Sequence, residues 1–166
     1  MSIAKQLDIK NKWDCYSKEE NLVRKAIMNF TIDNKRAFNI YSDINLLKCD
    51  VNKIDLLKYI DSLKKDNGFI ADEEGNINFV YPVSALETNH VVTLQDGRSF
   101  FAMCAIDALG AAFTFRQDTV INSTCSNTGK DITVKIKSGE LFEYNPKTLH
   151  ALHVDLNKFT DWAASC

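Results

Sequence analysis

Phe100-Phe101-Ala102-Met103-Cys104-Ala105-Ile106-Asp107-Ala108-Leu109-Gly110 is almost wholly apolar and compatible with a helix, yet carries one thiol and one carboxylate. Cys104 and Asp107 are three residues apart, a spacing that on a helix puts both side chains on one face with Cβ atoms about 5–6 Å apart. An acid set this deep in apolar sequence loses hydration, which favours its protonated form. A thiol beside it, near a helix N-terminus, leans toward thiolate. The spacing alone does not decide the matter, because cysteine is among the most buried residue types and an isolated helical cysteine more often fills a core. Asp107 could equally cap or solvate a helix edge.

Working outward, His90-Val91-Val92-Thr93-Leu94 reads as a strand, Asp96-Gly97 as a turn and Ser99–Phe101 as a short strand entering the central helix. Beyond that helix, Thr119–Cys125 and Asp131–Lys137 read as strands joined at Asn127-Thr128-Gly129-Lys130. Leu149–Leu156 is expected to be a further strand and Asn157–Ala164 a helix. The second half is therefore expected to be a mostly antiparallel sheet with a central helix laid against it.

Upstream, residues 1–16 form a polar arm carrying isolated hydrophobes. Ser17 and Glu20 have capping-box spacing ahead of Leu22, Val23, Ala26, Ile27 and Phe30, so a helix is expected at about 18–30. Phe38, Ile40, Ile44, Leu46 and Leu47 suggest a second, short helical stretch. A third, capped by Asp50 or Asn52, carries Ile54, Leu57, Ile60 and Leu63 and stops at Asn67-Gly68. Phe69 to Tyr81 reads as a hairpin around Glu74-Gly75-Asn76, and Pro82-Val83-Ser84 as a junction. The expected fold is α+β: an N-terminal arm and three-helix winged-helix-like domain over 1–82, then an α+β domain over 83–166.

Composition narrows the function. The chain has 166 residues, 45% of them hydrophobic, and a formal net charge of −2, so no global field draws it to nucleic acid or an anionic membrane. Its start lacks the apolar core of a signal peptide and no run is long enough to span a membrane, which sets the cytoplasm as the expected location. Five cysteines, an odd number, argue against a disulfide framework in that compartment. There is no Cys-x-x-Cys, and His90, His150 and His153 are scattered, which argues against a zinc or haem site. Cys15, in the arm beside Tyr16, and Cys49, in the turn before the third helix, show no charged or metal-like pairing and read as incidental. Phe113 and Phe115 form an aromatic patch suited to the core or to the wall of an apolar pocket.

Two segments together carry a resemblance. Phe-Ala-Met-Cys-Ala-Ile-Asp-Ala-Leu-Gly at 101–110 and Asn-Ser-Thr-Cys-Ser-Asn-Thr-Gly at 122–129 resemble the alkylmercury (organomercurial) lyases of the MerB family, which carry Cys-Ala-Leu-Asp followed by Ser-x-Cys-x-x-Thr-Gly. The resemblance covers roughly residues 18–166. It implies that Cys104 is the first mercury-binding cysteine, Asp107 the catalytic acid and Cys125 a buried structural cysteine. Cys166 falls at the family's second catalytic cysteine or its immediate neighbour. Family members run on beyond that cysteine, so the resemblance implies a short or truncated chain here.

The implied activity is protonolysis of carbon–mercury bonds, giving a hydrocarbon and mercury(II) held by the thiolates of Cys104 and Cys166. No cofactor is implied beyond cellular thiols for product release. The implied partners are the organomercurial itself and, as mercury(II) acceptor, low-molecular-weight thiols or mercuric reductase. Neither a membrane nor a nucleic acid is expected. Two alternatives stand beside this reading. One is a non-catalytic, thiol-based metal-binding relative, although pure sequestration needs thiols and no acid. The other is a winged-helix DNA-binding metal sensor. Lysines of the third helix suit phosphates, but that helix has no arginine, and Asp55 and Asp61 interleave its charge.

Overall fold

In the computed structural model of the chain, residues 16–151 are described. Helix α1, Lys18–Asn34, starts where the capping box put it: the Glu20 N–H donates to Ser17 Oγ at 3.1 Å, and the Ser17 N–H donates to Glu20 Oε2 at 2.7 Å. It runs one turn beyond the expected end and stops at Lys35, in the left-handed conformation with φ 55.

The second expected helix is not formed. Phe38–Asn39 is instead a short strand, β1, and residues 40–46 are turns. Asp43 explains why. Its buried carboxylate accepts both Arg36 Nη1 and Nη2, at 2.5 and 2.9 Å, and the Asn39 N–H at 3.0 Å. Asn39 Oδ1 in turn accepts the N–H groups of Tyr41 and Ser42, each at 3.0 Å. Side chains that bind nearby backbone in this way compete with a helix. Among the described residues two helices, not three, precede the hairpin, so the winged-helix description is not supported.

Helix α2, Lys53–Lys65, is capped by Asn52, whose side chain accepts the Asp55 N–H at 3.0 Å. Its inward face is Leu56, Ile60 and Leu63, whereas Ile54 and Leu57, expected inward, are exposed. The apolar stripe is rotated: Leu56 rather than Leu57 is the buried leucine of that turn.

The remaining elements are β2 (Ile70–Ala71), β3 (Asn76–Val80), β4 (Val83–Ser84), β5 (His90–Leu94), β6 (Ser99–Ala102), α3 (Ala105–Phe115), β7 (Thr119–Thr124), β8 (Asp131–Lys137) and β9 (Glu140–Asn145). They make an α+β fold with one nine-stranded sheet, ordered β1-β3-β4-β6-β5-β7-β8-β9 with β2 alongside β3, and every pairing is antiparallel. Val83-Ser84, read as a junction, is a strand that pairs with both β3 and β6. Strands from both sides of the turn at 81–82 therefore belong to one sheet.

Strand β9 was not expected. Ser138 and Gly139, at φ 52 and 77, close a tight hairpin onto β8. Leu149 to Ala151 contain no strand. The rest of the strand expected at 149–156, the helix expected at 157–164, and Cys15 and Cys166 lie outside the described residues.

Helix α3 covers the sheet through Ala108, Ala111, Ala112 and Phe115, opposite Val92, Leu94, Ala102, Ile121 and Val134. Small residues on this face let helix and sheet approach closely. The Phe115 ring packs 5.5 Å from that of Phe100, while Phe113 is exposed, so only one of the two phenylalanines belongs to the core.

Candidate active site

The site is built where strand β6 hands over to α3. Ser99 to Phe101, expected as a short strand, form β6 together with Ala102 and are held in the sheet between β4 and β5. Cys104 is therefore not a helical residue but the N-cap, with extended backbone at φ −146, ψ 178 and no capping hydrogen bond from its thiol. Its carbonyl accepts the Ala108 N–H at 3.0 Å, the first bond of the helix. Asp107 lies in the first turn, at N3. N-cap and N3 are the two positions a capping box links, each side chain to the other's backbone N–H, so the three-residue spacing keeps Cys104 and Asp107 together at the first turn of the helix despite the altered backbone. Cys104 is half-buried and Asp107 is buried, with 8% of its surface exposed. Cys104 thus stands at the partially positive N-terminus of α3.

A third group joins them that the sequence reading passed over. Burial pushes the Tyr81 phenol up to about 12, and the negative charges of Asp107 and Cys104 act in the same direction, against Arg24. Tyr81 is therefore a neutral hydroxyl at neutral pH. It rests on α3 at Gly110: a methyl group added there would overlap the Tyr81 hydroxyl and stand 3.0 Å from the ring carbon that bears it. Arg24, buried on α1, donates from Nε to the Gly68 carbonyl and from Nη2 to the Tyr81 carbonyl, each at 3.3 Å. Its guanidinium also lies 5.2 Å from the centre of the Tyr16 ring. The signal available in the sequence was Gly110 itself, a helix-weakening residue one turn after Asp107.

Sheet register brings further polar groups to the same end. His90 pairs with Ser123, and His90 Nδ1 lies 2.8 Å from Ser123 Oγ. Desolvation holds the imidazole below its usual range, toward the neutral form. Cys125 follows one residue beyond β7. Contrary to the buried, structural role implied for it, the thiol is half-exposed at a turn. The Thr128 hydroxyl and the backbone N–H groups of Thr128 and Asn127 donate to the sulfur and hold its pKa below the ordinary thiol value. Burial, followed by the charge of Asp50, pushes the Cys49 thiol the other way. Of the three residues expected to carry the chemistry, Cys104 and Asp107 share this site and Cys166 lies outside the described residues.

The family model for MerB, alkylmercury lyase, matches residues 83–166, about half of the 166-residue chain. Among solved structures, the crystal structure of the mercury-bound form of MerB2 is similar at a TM-score of 0.59 and 25% identity, over 82% of this chain and 65% of that one. The chain thus spans just under two thirds of that relative's length. No curated protein matches it. Among the described residues, no helix is long and apolar enough to cross a membrane. The chain belongs to the alkylmercury lyase family.

Proposed function

We propose that this protein cleaves carbon–mercury bonds by protonolysis, with Cys104 and Cys166 as mercury ligands and Asp107 as proton donor. The observation that carries the reading is the placement of Cys104 at the N-cap of α3 and of the buried Asp107 at N3, both close enough to Tyr81 to act on its phenol, in a chain of this family. Mercury is a soft metal and thiolate the softest side-chain ligand for it. The Cys104 thiolate displaces the ligand opposite carbon in R–Hg–X, giving R–Hg–S and releasing X⁻. A second thiolate, assigned to Cys166, adds to the metal and weakens the bond to carbon.

The carbon cannot leave as a bare carbanion, so a proton must arrive as the bond breaks. The Asp107 carboxylic acid supplies it: the electron pair of the C–Hg bond takes the proton, RH departs, and carboxylate and dithiolate mercury(II) remain. Desolvation of a buried acid favours the protonated form this step requires. Exchange with two external thiols then removes the metal and returns protons to the protein, so a thiol-rich setting such as the cytoplasm suits the cycle and no other cofactor is needed. The acceptor is a low-molecular-weight thiol or a reductase that takes mercury(II) from it.

Incubation of the full chain with methylmercury or phenylmercury and excess thiol tests the reading. Methane or benzene should be released catalytically; binding of the organomercurial with no hydrocarbon would leave a thiol-based binding protein instead.

A further inference from the structure

We infer that Tyr81 forms the wall of the subsite for the organic group and so limits the size of the organomercurials accepted. This rests on the lyase reading and deepens it. Three positions follow one another along α3: Cys104 at its start, Asp107 in the first turn and Gly110 one turn further. Residues three apart on a helix share a face. If sulfur at Cys104 holds the metal and Asp107 delivers the proton to carbon, the carbon lies beside Asp107. Whatever is attached to that carbon points away from the metal, along the helix toward Gly110. There the helix is bare, and the Tyr81 phenol occupies the space a side chain would otherwise fill.

The phenol is fixed rather than free to swing. Tyr81 is half-buried, its carbonyl accepts from Arg24, and its hydroxyl is packed against α3 at Gly110. It stays neutral beside the acid and thiol, so it offers an apolar ring edge and one O–H without competing as a nucleophile or base. Its place immediately ahead of β4, the strand that pairs with β6, ties it to the backbone that leads into Cys104.

The test is the ratio of kcat/KM for phenylmercury over methylmercury, a quantity that general loss of stability does not move. Shortening the wall in Tyr81→Leu should raise the ratio, and crowding it in Gly110→Ala should lower it, each by about tenfold or more, the least that one methylene is worth in a fitted pocket. Gly110→Ala keeps the tyrosine but must push its hydroxyl aside, so circular dichroism checks the fold of both variants and the ratio is read on the folded protein. The same pair of substitutions is made in an Asp107→Asn background, and competition between phenylmercury and methylmercury for the Cys104 adduct is read by mass spectrometry. That arm needs no turnover. A wild-type protein that releases no hydrocarbon sinks the lyase reading while the adduct ratios still decide the wall. Opposite shifts in the two variants are the expected result; ratios that stay put, or move together, overturn the inference.

Discussion

At the scale of single residues, the chemistry rests on a thiol and an acid whose spacing could be read from the chain although their backbone could not. Helical periodicity and an N-cap/N3 pair give the same three-residue separation, so the neighbourhood of Cys104 and Asp107 was legible even though Cys104 sits outside the helix. Cys104→Ser should abolish hydrocarbon release, because a hydroxyl is a poor ligand for a soft metal at neutral pH; turnover at the wild-type rate would end the mechanism. Tyr81 was not legible, because its role depends on α3 and the hairpin meeting in space. Nor was the state of Cys125, whose donors come from Asn127 and Thr128 in a turn. Because hydrogen bonds lower that thiol while burial raises Cys49, iodoacetamide at neutral pH should alkylate Cys125 before Cys49. Peptide mapping of a time course checks the order, and the reverse order would contradict it.

At the scale of elements, local signals succeeded where backbone and periodicity agreed. Ser17 and Asn52 cap their helices as their spacing indicated. The loop after α1 misled because its hydrophobes are spaced like a helix while Asp43, Asn39 and Arg36 bind the backbone into turns. Strand β9 escaped notice because Leu141 and Phe142 are adjacent rather than alternating, and both are exposed. The Asp43 cluster makes a stability prediction. The Arg36 hydrogen bonds hold the Asp43 carboxyl below its ordinary 3.8, with the Asn39 N–H adding to the effect. A depressed folded pKa means stabilisation that is present above the unfolded value and lost as pH falls through the folded one. Asp43→Asn should therefore cost about 1–3 kcal/mol at neutral pH, the usual range for charged hydrogen bonds to a buried group. In urea melts that difference should shrink below about pH 4, where the unfolded carboxyl takes up its proton; a difference independent of pH would contradict the assignment.

At the scale of the whole molecule, the class was legible and the connectivity was not. Alternation and turn residues identified an antiparallel sheet with one helix across it, but no local pattern announces that two residues, Val83-Ser84, pair with both β3 and β6. That short strand joins the helical front to β6, the strand that leads into Cys104, and through Arg24 and Tyr81 the front of the chain reaches the site itself. The central claim is that Asp107 delivers the proton which releases the hydrocarbon. Its most direct measurement is methane evolved from methylmercury in excess thiol by wild type and Asp107→Ala, alongside the mercury each retains. The account predicts catalytic methane from wild type, and from Asp107→Ala methylmercury bound at comparable stoichiometry with methane reduced by about a hundredfold or more. Equal methane from the two proteins would contradict it.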